Sequence, residues 1–133
     1  MQGSCLCGSV AYAVDVLTGP IVHCHCMTCQ KAHSAAFAST ARVERSGFRW
    51  TRGDEARRAF ESTPGKLRHF CAQCGTHLMA EWVGRDYVIL RVASLDDDPG
   101  VQPAARIWTA HDRPWLQWQA DVPAYDESAP PAR

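Results

Sequence analysis

Neither sign of charge predominates in this chain: lysine plus arginine and aspartate plus glutamate number 14 each. A balanced chain sets up no global field for a polyanion, so neither nucleic acid nor an anionic membrane surface is an expected partner. No apolar run approaches the roughly 20 residues that a bilayer span requires, and Met1 to Cys5 carries no basic-then-apolar leader. A cytoplasmic location without membrane contact is therefore expected. Long internal repeats are missing, and helical periodicity is weak throughout. The 133 residues, 46% of them hydrophobic, suit a single domain with a modest core. The expected domain covers residues 1–126, with a flexible, proline-containing tail over 127–133.

What recurs instead is the period-two pattern of short strands. Val10, Tyr12, Val14 and Val16 fall on one side of an extended segment. Similar runs occur at Ile21 to Cys24, Phe37 to Val43, Phe48 to Arg52, Arg58 to Ser62, Leu67 to Phe70, Leu78 to Val83, Tyr87 to Ser94, Arg106 to Thr109 and Leu116 to Gln119. Gly, Pro and Asp turn signals separate them. The pattern predicts a mainly β fold with little helix, the one short helical turn falling at Met27 to His33.

Seven cysteines are the distinctive abundance. In a reducing compartment an odd number of them argues for metal ligands rather than disulfides. They fall in three clusters: Cys5 and Cys7; Cys24, Cys26 and Cys29; Cys71 and Cys74. A C-x-x-C turn lets two thiolates converge on one ion about 2.3 Å away, and Gly8 and Gly75 follow the last cysteine of their clusters, where such a turn favours positive φ. The trio is nearly a complete site by itself, while each outer pair is half of one. The economical division is a closed site of Cys5, Cys7, Cys71 and Cys74 and an open site of Cys24, Cys26 and Cys29, with two zinc ions per chain. A closed four-ligand site is the structural type, and three ligands with an exchangeable fourth position is the catalytic type. The alternative is a trio completed as Cys3His by His23, His25, His69 or His77. Alternation turns His25 away from its flanking ligands.

Three thiolates outweigh the charge of a zinc ion, which makes it a weaker Lewis acid than a three-histidine site and a better host for sulfur. A thiol that loses its proton there can attack a carbon electrophile, so thiol addition or its reverse is the expected chemistry. Zinc deaminases also use cysteines, but no glutamate adjoins the trio and Cys71 follows Phe70 rather than proline.

The strings GSCLCG at Gly3 to Gly8, CHCMTCQKAH at Cys24 to His33 and FCAQCG at Phe70 to Gly75 resemble the glutathione-dependent formaldehyde-activating enzyme family, which includes centromere protein V. The resemblance continues through Phe48-Arg49-Trp50, Ser94-Leu95-Asp96, Ile107-Trp108 and Pro114 to Pro123. It implies a fold of several small coiled antiparallel sheets around zinc, the β-tent. It also implies that Cys5, Cys7, Cys71 and Cys74 are structural zinc ligands and that Cys24, Cys26 and Cys29 are catalytic ones. The implied activity is a carbon–sulfur lyase reaction, addition of glutathione to formaldehyde to give S-(hydroxymethyl)glutathione. A zinc-stabilised binding module without turnover is the competing expectation.

Other residues carry weaker signals. Trp50, Trp82, Trp108, Trp115 and Trp118 are expected mainly in the core. Lys31, Arg42, Arg49 and Arg106 are candidates for holding glutathione carboxylates. The run Asp96 to Asp98 before Pro99-Gly100 reads as a solvated turn, with calcium binding as the remote alternative.

Overall fold

The computed structural model describes residues 1–116 and 122–131. Its strands are β1 (Gln2–Ser4), β2 (Ala11–Val14), β3 (Ile21–Cys24), β4 (Ala38–Glu44), β5 (Phe48–Arg52), β6 (Arg57–Thr63), β7 (Lys66–Cys71), β8 (His77–Trp82), β9 (Tyr87–Arg91) and β10 (Pro103–Ile107). The α-helix α1 (Met27–His33) follows β3 directly. The fold is mainly β, as the alternation predicts. A three-stranded sheet has the order β1-β2-β5, and a seven-stranded sheet has the order β10-β3-β4-β9-β8-β7-β6. Neighbours pair antiparallel except β10, which runs parallel to β3. Among the described residues no helix is long and apolar enough to cross a membrane.

The two sheets close on one core. Tyr12 and Val14 from the smaller sheet, with Val10 just before β2, pack with Val43, Leu78, Met79, Val88 and Leu90 from the larger one, and Cys5 and Cys71 belong to the same cluster. In β4 the alternation is explicit, with Ala41 and Val43 buried and Arg42 and Glu44 exposed. Val16 lies beyond the end of β2 and is exposed. Strand β6 is a largely exposed edge rich in charge, which discourages further pairing.

Several boundaries differ from the sequence reading for local reasons. Strand β9 stops at Arg91, where a 3-10 turn (Val92–Ser94) bends the chain. Strand β10 ends at Ile107 because Trp108 is left-handed, with φ 62°. Leu116 closes a 3-10 turn, Pro114–Leu116, and the remainder of the expected strand at Leu116 to Gln119 lies outside the described residues. The tryptophans divide. Trp50 packs on the core and Trp82 is half-buried. Trp108 and Trp115 are 59% and 73% exposed, contrary to the core expectation, because β10 and the turns after it lie on the surface. Trp118 lies outside the described residues.

Candidate metal centres

The chain folds the outer cysteine pairs onto each other. The thiol sulfurs of Cys5, Cys7, Cys71 and Cys74 all lie within 4.8 Å of one another, with 3.6 Å between Cys5 and Cys7 and 3.8 Å between Cys7 and Cys71. A tetrahedral ion with bonds of about 2.3 Å holds its sulfurs about 3.8 Å apart, so this donor set fits zinc. Both knuckles turn as their glycines predict, Gly8 at φ 77° and Gly75 at φ 80°. Their amides donate back to the carbonyls of Cys5 and Cys71 at 2.9 and 2.8 Å. Thr76 joins the two knuckles, because its hydroxyl accepts from the Leu6 amide at 3.1 Å and lies 3.3 Å from the Cys74 sulfur. That Thr76 contact is the main cause that brings the Cys74 thiol down to about 5, while burial raises Cys71 to about 11. The exposed member, Cys7, is lowered chiefly by its hydrogen bond to Ser9.

The trio comes from one continuous stretch. Cys24 ends β3, Cys26 caps α1 with its sulfur accepting from the Cys29 amide at 3.4 Å, and Cys29 sits in the first turn of the helix. Their sulfurs also lie within 4.8 Å of one another. Among the described residues, no histidine, aspartate or glutamate ligand atom joins all three within that distance. This donor set fits zinc with one position left to an outside ligand. Cys24 and Cys29 share a hydrogen bond that raises Cys24 and lowers Cys29, which Arg91 and Arg68 also favour as a thiolate; Cys29 falls to about 4.

Each histidine considered for the fourth position has another occupation or place. The His25 side chain is 1% exposed and points away, with Nδ1 2.7 Å from Asp112 and Nε2 accepting from Arg106 at 3.3 Å. His23 Nδ1 lies 3.0 Å from the Ser39 hydroxyl, and His69 Nδ1 lies 3.2 Å from Arg57. His77 stacks on Phe70 and lies beside His33, ring to ring at 4.8 Å.

Of the cations singled out from sequence, only Lys31 borders a cavity beside the trio. Arg42 lies over the Tyr87 ring at 4.4 Å, Arg49 pairs with Asp15 at 2.8 Å, and Arg106 contacts His25 and Asp112. The sequence reading missed Arg68 and Arg91. They are 1% and 4% exposed, and Arg68 donates from Nε to Ser62 at 2.8 Å and from Nη1 to the Cys29 sulfur at 3.8 Å. Arg91 stands inside the apolar run Val88 to Ala93, and a lone cation in such a run was the available signal. The aspartate turn is occupied by protein donors: Asp96 accepts from Ser4, Asp97 from the Gln2 amide and Asp98 from the Gly100 amide.

The family model of the glutathione-dependent formaldehyde-activating enzyme matches residues 1–111, a span that contains all seven cysteines. The chain belongs to this family. The matched region of this formaldehyde-activating family member ends before the Pro114 to Pro123 stretch. A crystal structure of a Rhodobacter sphaeroides protein is similar at a TM-score of 0.65 and 25% identity, covering 80% of this chain and 99% of that one. No curated protein sequence matches the chain. Membership agrees with a zinc-binding reading of both cysteine groups.

Proposed function

We propose that the protein is a zinc-dependent carbon–sulfur lyase that adds a small thiol such as glutathione to formaldehyde or a related electrophile, or runs the reverse reaction, in the cytoplasm. The observation that carries this reading is the contrast between the two groups: four sulfurs converge at one, three at the other, and no protein ligand atom among the described residues completes the second. Zinc, when bound by Cys24, Cys26 and Cys29, supplies a position that takes a thiol with loss of its proton. The protein's own groups hold the rest. Cys24 and Cys29 are buried at the meeting of β3 and α1, and partly exposed Cys26 packs against them. Arg68 and Arg91 offset negative charge at the sulfurs. In the addition, the thiol sulfur forms a bond to the formaldehyde carbon. The carbonyl π pair moves to oxygen, which takes a proton equivalent to the one the thiol released. Cys5, Cys7, Cys71 and Cys74 hold the structural ion at the core.

Cobalt substitution tests the proposal. Glutathione should intensify and shift the sulfur charge-transfer bands of the trio's cobalt, and formaldehyde should be consumed only while glutathione is present. Unchanged bands with every small thiol tried would refute thiol capture. Binding with no formaldehyde consumption would leave the zinc-stabilised module.

A further inference from the structure

Guanidinium and imidazole nitrogen atoms that no protein group satisfies gather beside the trio. Arg68 Nη2, Arg91 Nε and Nη2, His33 Nε2 and His77 Nδ1 are all buried without a hydrogen-bond partner. Buried polar atoms of this kind are rare in native proteins because each keeps its full desolvation cost, and the charged guanidinium donors keep the most. Such a group within one region points to acceptors supplied from outside the chain.

Two cavities occupy that region. One, of about 310 Å³, is bordered by His33, His77 and Arg91. The other, of about 590 Å³, is bordered by Lys31, Arg68 and His77. They meet at His77, and no aspartate or glutamate lines either. Three thiolates exceed a divalent ion by one negative charge, and the two buried guanidiniums reverse that sign. A thiolate arriving at the trio restores neutrality, which leaves Lys31 and the unsatisfied donors for a further anionic group. A guanidinium offers paired donors that match the two oxygens of a carboxylate. The 590 Å³ cavity also presents Phe60 and Phe70, an apolar wall suited to the carbon chain between a thiol and its acid.

We propose that these two cavities form one subsite that grips a carboxylate of the thiol substrate through Arg91 and Arg68, so that acid-bearing thiols are selected over neutral ones. The inference rests on the reading of the trio as a thiol-binding centre. It assigns the selection to Arg68 and Arg91, and not to the already paired Arg42, Arg49 and Arg106.

Calorimetric titration of the zinc-loaded protein with 3-mercaptopropionate and with 3-mercapto-1-propanol tests it. The acid should bind at least about tenfold more tightly than the alcohol, as expected for a charge-assisted hydrogen-bonded contact. R91Q and R68Q should each weaken both thiols, because each removes a cation that offsets the sulfur charge, but should weaken the acid further and so bring the ratio towards one. A ratio that stays at its wild-type value in both variants would overturn the assignment to these two residues. Equal affinity of the wild-type protein for the two thiols would overturn the proposal, whatever the variants do. A second arm uses glutarate, which has no sulfur, and follows the imidazole nitrogen resonances of His33 and His77. Shifts with glutarate but no binding of either thiol would sustain the anion subsite and refute thiol capture. Equal thiol binding with unmoved histidines would do the reverse, leaving the two guanidiniums to balance the sulfur charge alone.

Discussion

Replacing Cys71 by serine tests the division of labour between the metal centres most severely. Cys71 is fully buried within the core that joins the two sheets, and its sulfur meets that of Cys7 across 64 residues of chain. By the chain-entropy relation, a cross-link over that distance stabilises by about 4 kcal/mol. A buried hydroxyl that loses its partner adds about 1–3 kcal/mol of cost. The combined loss, about 5–7 kcal/mol, is comparable with the whole stability of many domains, ~5–15 kcal/mol. For a chain of this size it amounts to a fall in Tm of more than about 15 °C. Cys26→Ser should behave differently. Its ion spans only Cys24 to Cys29, worth about 2 kcal/mol by the same relation. The residue also caps α1 through a sulfur that accepts from the Cys29 amide, and serine is a favoured residue at that position. Its Tm should fall by less than about 8 °C, with the β-sheet circular dichroism retained and thiol binding lost. Thermal melts of both variants, with zinc in excess and again with chelator, make the comparison. Equal falls in Tm would refute the assignment of a structural closed site and a functional open one.

Metal analysis of the reduced, zinc-supplied protein should give two ions per chain, with the trio's ion leaving first under mild chelation because it has three protein ligands and partly exposed Cys26. A single tightly held ion, with Cys24, Cys26 and Cys29 all reacting as free thiols, would refute the two-site reading. The pH dependence of stability should carry a contribution from His33, whose pKa is lowered to about 3 by burial and then by Arg91. The unfolded imidazole takes up its proton near ~6.5, so between that value and about 3 the unfolded chain binds more protons and stability falls with falling pH. With zinc held saturating, H33Q should lose stability less steeply over that window than the wild type; identical slopes would show that His33 is no more protected in the fold than in the unfolded chain.

Local spacing carried the sequence reading a long way. Strand β3, strand β5 and helix α1 occupy the residues that alternation and the central cysteine motif indicate, because neighbours two residues apart share a strand face regardless of what packs on them. The trio was legible for a related reason: its ligands lie within one strand end and one helical turn, so contact among them is local. The positive φ at Gly8 and Gly75 likewise follows from each knuckle alone. Strand β1 was not legible, since Gln2–Ser4 is short and polar and forms by pairing with β2. Nor was the exposure of Trp108 and Trp115, because an aromatic side chain signals apolar area without saying whether the surrounding chain covers it. The decisive tertiary contribution is the meeting of β7, β9 and α1, which buries Arg68 and Arg91 beside Cys29. Residues 29, 68 and 91 have no local relation, and a guanidinium reads as surface charge until the fold removes its water. The cysteine sequence thus determined where metal can bind, while long-range packing decided which charges face it and so what else the site can hold.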